Sequence, residues 1–260
     1  MTEKVLVTLA AFVLAGGFVE AASAGGSDVG TGFFFQSLKE NGRELKYAVY
    51  VPRVYDPTRP WPLILFLHGS GESGIDGSRQ LAQGLPRELV WNPDRWPFIV
   101  IIPQKPAQDA EWEQYELELM TMLAHARREY NVDPTRLVLT GLSQGGHAAW
   151  VLAARHPELW AAVVPVCGYG SVRFGPAGVP TGTFIELAER IGGIPVWAFH
   201  GEADDVVPVR ETRAMIAALE AAGAHPRGTI YPGVGHGCWE RAYGEPELPG
   251  WLLAQRRPSP

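Results

Sequence analysis

The hydrophobic and polar positions of the chain form short apolar runs that alternate with longer segments of helical periodicity. Continuous apolar runs rich in valine, isoleucine and leucine are typical of strands buried on both faces of a parallel sheet. Two earlier segments also read as strands, because Glu40-Asn41-Gly42 between them is a hairpin turn signal. The predicted strands are 33–35, 45–51, 62–67, 98–102, 136–140, 161–166, 195–199 and 227–231.

Other segments carry apolar residues near helical spacing, or the start and stop signals of a helix. In the first of them, Leu117, Met120 and Leu123 recur on one face, and residues 131–134 are predicted to end the helix. Strands that alternate with helices predict an α/β fold: a mostly parallel, doubly wound sheet with an N-terminal antiparallel hairpin. We find no internal repeat or linker, which indicates a single domain over residues 25–260. The predicted helices are 111–130, 146–155, 184–191, 208–222 and 247–256.

Residues 1–24 have the pattern of a signal peptide. Lys4 precedes an apolar run over residues 5–19, and Ala22-Ser23-Ala24 supplies the small residues of a cleavage site. The run ends at Glu20 and is short for a transmembrane helix, so we expect no stable membrane span in the mature chain. We therefore expect a secreted or periplasmic protein. The alternatives are a short apolar arm docked on the fold and a membrane anchor.

Composition narrows the class of protein. A chain of 260 residues, 46% of them hydrophobic, can bury one large core. The net charge of −6 argues against a nucleic-acid partner, because no basic stripe is present to neutralise phosphates. Cys167 and Cys238 are too few for a disulfide scaffold or a zinc cluster, and one bridge or two free thiols both stay open. No cluster at metal-ligand spacing appears, so neither a metal nor an organic cofactor is implied.

The pentapeptide Gly141-Leu142-Ser143-Gln144-Gly145 lies between an apolar predicted strand and an apolar predicted helix. A serine at such a turn must adopt a strained backbone, and only small residues two positions away on either side leave room for the bend. The turn holds the hydroxyl clear of the sheet and directs the helix N-terminus toward the group that the serine attacks. The sequence therefore predicts Ser143 as the nucleophile of an acyl-transfer enzyme, with an ordinary glycine-rich turn as the alternative.

A serine hydroxyl is a weak nucleophile at neutral pH and needs a histidine base that is itself oriented by an acid. His236 follows the last predicted strand, between glycines that let a loop place the imidazole over the carboxyl edge of the sheet. Ligands bind at that edge in doubly wound sheets. Among the other histidines, His68 and His200 are interpreted as loop-supporting residues at strand ends, and His147 as a packing residue. His236 is the predicted base.

The acid is expected in the loop after the penultimate strand, which contains Asp204 and Asp205. The order serine, aspartate, histidine along the chain is the one expected for this type of sheet. Physical reasoning on the residues alone does not choose between two adjacent carboxylates, so both stay candidates at this point.

Attack on an ester carbonyl places negative charge on its oxygen, and two preorganised N–H donors stabilise that charge. The backbone N–H of Gln144, which follows the nucleophile, is the first expected donor. The second is expected from the loop at 68–74, whose glycines permit a backbone N–H to turn inward. Gly69, Ser70 and Gly71 are the candidates for this second donor.

Together these motifs resemble the α/β-hydrolase superfamily, and more narrowly its small carboxylesterase group. That group includes phospholipase/carboxylesterase, poly(3-hydroxybutyrate)-depolymerase-like and "predicted peptidase" sequences. The resemblance implies an α/β-hydrolase fold, Asp204 as the acid, and the backbone N–H of Ser70 as the second oxyanion donor. Similar proteins often have methionine where this chain has Gln144. The glutamine keeps the backbone role and makes the cleft wall more polar. The resemblance extends from about residue 47 to 253 and rests on segments 65–69, 141–146, 200–208 and 235–236.

Three aromatic residues, Trp112, Tyr169 and Trp239, are predicted to line the cleft, because they fall in loops after strands or beside the histidine. The Gly/Pro-rich segment 168–193 is the predicted cap and contains the short helix at 184–191. It is too small for a full lid, which predicts an open cleft.

The sequence thus predicts a serine carboxylesterase that forms an acyl-enzyme on short-chain, aromatic-acyl or polymeric esters. A serine peptidase of the same fold is one alternative, and a feruloyl or acetyl esterase acting on plant cell-wall polysaccharide is another. A binding protein on a hydrolase scaffold would be expected to lack one member of the triad, and here all three are present.

Overall fold

The computed structural model describes residues 5–6, 30–40, 42–170 and 183–258, and it is built around one nine-stranded sheet. The strand order across the sheet is β1-β2-β3-β5-β4-β6-β7-β8-β9. The strands are β1 Val5–Leu6, β2 Gly32–Glu40, β3 Arg43–Val51, β4 Trp61–Leu67, β5 Ile99–Pro103, β6 Val132–Leu142, β7 Trp160–Val166, β8 Trp197–Gly201 and β9 Arg227–Tyr231. The helices are α1 Leu85–Trp91, α2 Glu116–Glu129, α3 Gln144–Arg155, α4 Phe184–Ile191, α5 Arg210–Ala221, α6 Trp239–Gly244 and α7 Leu248–Ala254.

Strands β4 to β9 run parallel to one another, and β1 to β3 form an antiparallel edge. Every residue of β4, β5 and β7 is buried, as expected for parallel strands covered on both faces. The predicted α/β class, the mostly parallel sheet and the N-terminal hairpin are therefore confirmed.

Side chains of successive strand residues enter two separate core layers. Leu63, Leu65 and Leu67 of β4 pack in the layer under α2, α3, α4 and α5. Ile64 and Phe66, which alternate with them, pack in the opposite layer under α1, α6 and α7. This period of two fixes the register of the sheet and leaves its carboxyl edge free for loops.

Helix α2 ends at Glu129, just before residues 131–134, as predicted, but the next strand begins earlier than predicted, since β6 starts at Val132. The pairing of β6 with β4 shifts between Trp61 and Leu63, so Pro134 lies in an irregular stretch where its missing N–H is tolerated. The predicted helix at 111–130 begins as a 3-10 turn and becomes α2 only at Glu116.

Parts of three sequence predictions fall outside the described residues. They are the signal peptide at 1–24 apart from β1, Asn41 in the hairpin turn, and residues 171–182 of the predicted cap. Strand β1, which lies within the predicted signal peptide, pairs antiparallel with Phe34 and Phe35 of β2. Within the part of the chain that the structure describes, no helix has the length and apolar character needed to cross a membrane.

Candidate active site

Ser143 lies between the end of β6 and the start of α3, with φ of 54° and ψ of −116°. This left-handed conformation is rare for a residue with a side chain and indicates local strain at the turn. The flanking glycines explain how the turn fits. A Cβ on Gly145 would lie 1.9 Å from the carbonyl oxygen of Leu67, and one on Gly141 would lie 2.3 Å from that of Gly145.

The structure brings Ser143, His236 and Asp204 into one hydrogen-bonded row. His236 Nε2 is 3.0 Å from Ser143 Oγ, and His236 Nδ1 is 2.7 Å from Asp204 Oδ2. Because a carboxylate only accepts, Nδ1 carries the proton and Nε2 is free to accept the proton of the serine hydroxyl. The side chain of Asp204 is fully buried, whereas that of His236 is 17% exposed, so the row runs from the interior to the surface.

Of the two adjacent carboxylates, the structure places Asp204 against His236 and leaves Asp205 exposed to solvent. Asp204 Oδ1 accepts from the backbone N–H groups of Val206, at 2.9 Å, and Val207, at 2.8 Å. Burial acts to raise the pKa of Asp204. Hydrogen bonds from His200, from His236 and from Val207 outweigh burial and hold that pKa well below its usual range. The carboxylate is therefore ionised at neutral pH.

The loop after β4 passes directly beside the serine. A Cβ built on Gly69 would lie 3.3 Å from Cβ of Ser143, so the backbone around Gly69 and Ser70 approaches the nucleophile closely. Ser70 begins a 3-10 turn and is partly exposed, whereas Gly71 is exposed and has open space at its Cβ position. Gln144 is the first residue of α3, where backbone N–H groups lack intrahelical partners.

Lys105, just after the end of β5, binds the loop after β4 through its side chain. It was not identified as a site residue from the sequence. Its side chain is fully buried, and Nζ donates to Ser73 Oγ at 2.8 Å and to the carbonyls of Ala107 and Gln108 at 2.6 and 3.2 Å. Burial lowers the pKa of Lys105 to about 8. A lysine directly after an apolar strand, at the functional edge of the sheet, is the signal that could have identified it.

The histidines predicted to support loops or packing are all fully buried. His68 Nε2 accepts from the backbone N–H of Lys105 at 3.1 Å, and burial lowers the pKa of His68 to about 3. His147 Nδ1 is 2.7 Å from the carbonyl oxygen of Tyr169. His200 contacts Asp204 directly, a contact that the sequence did not anticipate.

The prediction that Trp112 lines the cleft is wrong, because its side chain is completely buried. The 3-10 turn before α2 tucks the indole under the loop after β4, where Nε1 donates to the carbonyl of His68 at 2.9 Å. Tyr169 is also largely buried, and its hydroxyl donates to Glu111 Oε1 at 2.6 Å. Trp239, the first residue of α6, is partly exposed and meets the His236 ring edge-on, with centroids 5.5 Å apart.

A second group of titratable side chains lies behind the turn that carries the serine. Ligand atoms of Glu111, Glu113 and His147 all lie within 4.8 Å of one another, and the three residues are buried. Burial raises the pKa of both carboxyls and lowers that of the imidazole, which favours neutral forms. The positive charges of Lys105 near Glu111 and of Arg155 near Glu113 act in the opposite direction and lower the pKa of these two carboxyls. The nearby positive charges make the group a poor cation site.

Both cysteines of the chain are free thiols and fully buried, so of the two alternatives the structure has two free thiols rather than a disulfide bridge. Cys167 directly follows β7 with φ of 42°, and the neighbouring Cys238 thiol adds to the rise in its pKa. Burial raises the pKa of the Cys167 thiol well above its ordinary value, which keeps it protonated and unreactive in the folded protein.

The parallel sheet, the strained serine at the end of β6 and the row of three side chains define an α/β hydrolase. The sequence profile of the dienelactone hydrolase family matches residues 94–246. The chain therefore belongs to the dienelactone hydrolase family of the α/β-hydrolase superfamily, and it is a hydrolase.

Individual relatives agree with this assignment. A putative carboxymethylenebutenolidase of Yersinia pestis is 33% identical over 223 residues, covering 77% of this chain and 76% of the relative. The crystal structure of a thermostable esterase matches with a TM-score of 0.72 at 33% identity, over 86% of this chain and 63% of that one. A ferulic acid esterase from Anaeromyces mucronatus has a TM-score of 0.65 at 17% identity, over 88% and 95% of the two chains. This last likeness shows the shared fold alone.

Proposed function

We propose that the protein is a serine carboxylic-ester hydrolase that works through an acyl-enzyme. The observation that carries the proposal is the continuous row of hydrogen bonds from Ser143 through His236 to the buried, ionised Asp204. This arrangement supplies a nucleophile, a general base and an orienting acid in one line.

In the proposed reaction Ser143 Oγ attacks the ester carbonyl and His236 Nε2 takes the hydroxyl proton. Collapse of the tetrahedral intermediate breaks the bond to the leaving alcohol, to which His236 returns that proton. Water then attacks the acyl-enzyme with His236 again as the base, which releases the carboxylic acid and restores the serine. Asp204 keeps the proton of the imidazole on Nδ1 and stabilises the imidazolium that forms in each half-reaction.

We assign the oxyanion donors to the backbone N–H groups of Gln144 and Ser70. The position of Gln144 at the N-terminus of α3 and the approach of the Gly69–Ser70 backbone to Ser143 support this assignment. Two such donors lower the barrier by several kcal/mol, because they are already oriented before the charge develops. No step of this mechanism requires a metal or an organic cofactor.

The proposed substrates are short-chain, aromatic-acyl or polymeric esters that enter an open cleft. Within the described part of the predicted cap, helix α4 has only eight residues, which is in keeping with a cap too small to form a full lid. Trp239, partly exposed beside His236, offers an apolar aromatic surface to the substrate.

The test is hydrolysis of p-nitrophenyl esters from acetate to laurate by the wild type and by Ser143→Ala. We expect the substitution to abolish turnover, and we expect Asp204→Asn to lower kcat by about 10³- to 10⁴-fold because the imidazole loses its orienting acid. Asp205→Asn is the matched control, since this exposed neighbour does not touch His236 and should leave kcat unchanged.

Activity that survives in Ser143→Ala would show that another residue is the nucleophile. A peptide amide cleaved faster than its matched ester would replace the esterase proposal with a peptidase of the same fold. A wild type active on feruloyl or acetylated polysaccharide but not on the simple esters would narrow the substrate class instead.

We also propose that residues 1–24 direct export of the protein, on the strength of Lys4, the apolar run after it and the small residues at 22–24. Cleavage after Ala24 would remove β1 and leave β2 paired with β3 alone. Mass spectrometry of the protein from the periplasm or medium of a bacterial host should find a new N-terminus near Gly25, and an uncleaved cytoplasmic chain would contradict the proposal.

A further inference from the structure

The carboxylate of Asp204 lies between two imidazoles. Oδ2 is 2.7 Å from His236 Nδ1 and 3.1 Å from His200 Nε2, while Oδ1 accepts from two backbone N–H groups of its own loop. The side chains of His200 and Asp204 are both completely buried. The reaction proposed above uses only the first of these imidazoles, so the contact with His200 needs its own explanation.

The partners of His200 determine which of its ring nitrogens carries the proton. Nε2 lies 2.8 Å from the carbonyl oxygen of Val207, which can only accept, so Nε2 is the protonated nitrogen. Nδ1 then has the lone pair and accepts from the hydroxyl of Thr212 at 2.7 Å. Thr212 is on α5, so this helix fixes the ring from behind while the Nε2–H points at both Val207 O and Asp204 Oδ2.

We propose that His200 is a positioning residue for the triad: its Nε2–H locks the rotation of the Asp204 carboxylate and disperses part of its charge. The inference rests on the proposed serine-hydrolase function and names a residue that acts through Asp204 rather than on the substrate. A carboxylate held only by the turn N–H groups at Oδ1 could swing Oδ2 away from His236. A donor on the other side of Oδ2 removes that freedom.

The same N–H sets how strongly Asp204 stabilises a positive charge on His236. A hydrogen bond to a carboxylate favours its ionised form and lowers the negative potential that it presents to other groups. Without the His200 donor, Oδ2 presents more negative charge but is also free to rotate away from the imidazolium of His236. These two changes act on the imidazolium in opposite directions, so the proposal is tested by the kcat of variants that keep or lose the donor. The other titratable groups near this contact are the buried Cys167 and Cys238 thiols and, on the acid loop, the exposed Glu202 and Asp205.

Two amide substitutions separate positioning from simple packing. In His200→Gln the side-chain nitrogen reaches about as far as Nε2 of histidine, so a donor toward Asp204 is kept. In His200→Asn, one methylene shorter, the amide stops near the position of Nδ1 and leaves Oδ2 without its second donor. Thr212→Val removes the hydrogen bond at Nδ1 but keeps the Nε2–H, so it reports the cost of disturbing the surroundings of the ring while the donor to Asp204 is kept.

The measurements are kcat and KM on a p-nitrophenyl ester across pH, with rates divided by the concentration of active sites titrated with an organophosphonate. We expect His200→Asn to lower kcat by about 10- to 100-fold with KM nearly unchanged. This loss is smaller than the full rate enhancement that general-base catalysis supplies, because His236 is still present. We expect His200→Gln, which keeps a donor toward Asp204, to recover most of kcat.

Melting temperatures of all three variants show how much of each loss is due to folding. Equal kcat losses in His200→Gln, His200→Asn and Thr212→Val would show a merely structural role and overturn the proposal. An unchanged kcat in folded His200→Asn would overturn it too. A wild type that hydrolyses no ester and does not react with the organophosphonate would instead contradict the proposed function.

Discussion

Gly145 shows how a single residue decides whether the turn at the nucleophile can form. An alanine Cβ at this position would lie 1.9 Å from the carbonyl oxygen of Leu67, which belongs to β4 and cannot move independently of the sheet. We expect Gly145→Ala to lower the free energy of unfolding by about 3 kcal/mol or more, measured by urea denaturation.

Gly250 is the matched control for that substitution. It is exposed in the first turn of α7, and a Cβ there would meet nothing within 4 Å. Gly250→Ala should therefore raise the free energy of unfolding by about 0.5–1 kcal/mol, because alanine restricts the unfolded chain without a clash in the helix. Equal stabilities of Gly145→Ala and the wild type would contradict the steric account of the turn.

Lys105 is expected to make stability depend on pH in the alkaline range. The folded protein releases its proton near pH 8, whereas the unfolded chain holds it up to about pH 10.5. The unfolded state therefore binds more protons in this window, so the contribution of Lys105 to stability rises with pH, by about 1.4 kcal/mol per pH unit.

The comparison that isolates this effect is urea unfolding of the wild type and of Lys105→Met at several pH values from 7.5 to 10. The wild type should gain stability relative to the variant as pH rises, even though the variant also loses the contacts with Ser73 and Ala107 at every pH. Lys46→Met, at an exposed position on β3, is the control. A difference that does not change with pH would contradict the expected release of the proton.

At the scale of residues, the parts of the site that could be predicted from the sequence are those that the local geometry of the backbone requires. Glycines two positions either side of Ser143 are required by the close approach of the backbone to β4, so the pattern is visible without the fold. The position of Trp112 was missed, because whether an indole faces a cleft or a core depends on the 3-10 turn that aims it. The link from His200 to Asp204 also depends on tertiary packing, since α5 fixes the ring.

At the scale of elements, strands were easier to predict than short helices. Strand β9 has the bounds that its apolar and β-branched residues predict, and β4, β5, β7 and β8 agree within two residues. Helix α7, of seven residues, was predicted within two residues at each end, whereas α1 and α6, of seven and six residues, were missed. Both are stabilised by packing against the sheet rather than by their own sequence.

Helix α4 is short but carries a capping box, which gives it a testable local stability. Thr183 Oγ1 accepts from the N–H of Glu186 at 3.2 Å, and Glu186 Oε2 accepts from the N–H of Thr183 at 2.7 Å. We expect Thr183→Ala to cost about 1 kcal/mol, seen as a roughly fivefold faster hydrogen exchange of α4 amides. Glu186→Gln keeps the box and should exchange near the wild-type rate. Unchanged exchange in Thr183→Ala would show that packing on α3 and α5 alone holds the helix.

At the scale of the whole molecule, the parallel topology brings distant parts of the chain together at the carboxyl edge of the sheet. Ser143, Asp204 and His236 follow β6, β8 and β9, whose carboxyl ends lie at the same edge of the sheet with β7 between β6 and β8. The sequence could predict this meeting because strand alternation implies a parallel sheet and a common functional edge. The path of the loop after β4, which selects among Gly69, Ser70 and Gly71, is set by packing that no local pattern encodes.

The cysteines report on the integrity of this whole arrangement. Cys167 follows β7 and Cys238 precedes α6, so their buried contact exists only while the sheet and the histidine loop are assembled. Both thiols are inaccessible in the folded state, and a thiol-specific reagent attacks only exposed thiolate. Modification in native buffer should therefore proceed at the rate at which the protein unfolds.

We expect Ellman's reagent to detect no rapidly reacting thiol in the native protein and two per chain in guanidinium chloride without reductant. Cys238→Ala should give one thiol under the same denaturing conditions and supplies the matched control. Fewer than two thiols in the unfolded, unreduced wild type would mean that the two sulfurs are bridged in the isolated protein. Rapid modification of the native protein would mean that the loop carrying His236 opens without global unfolding, since Cys238 is buried beneath that loop.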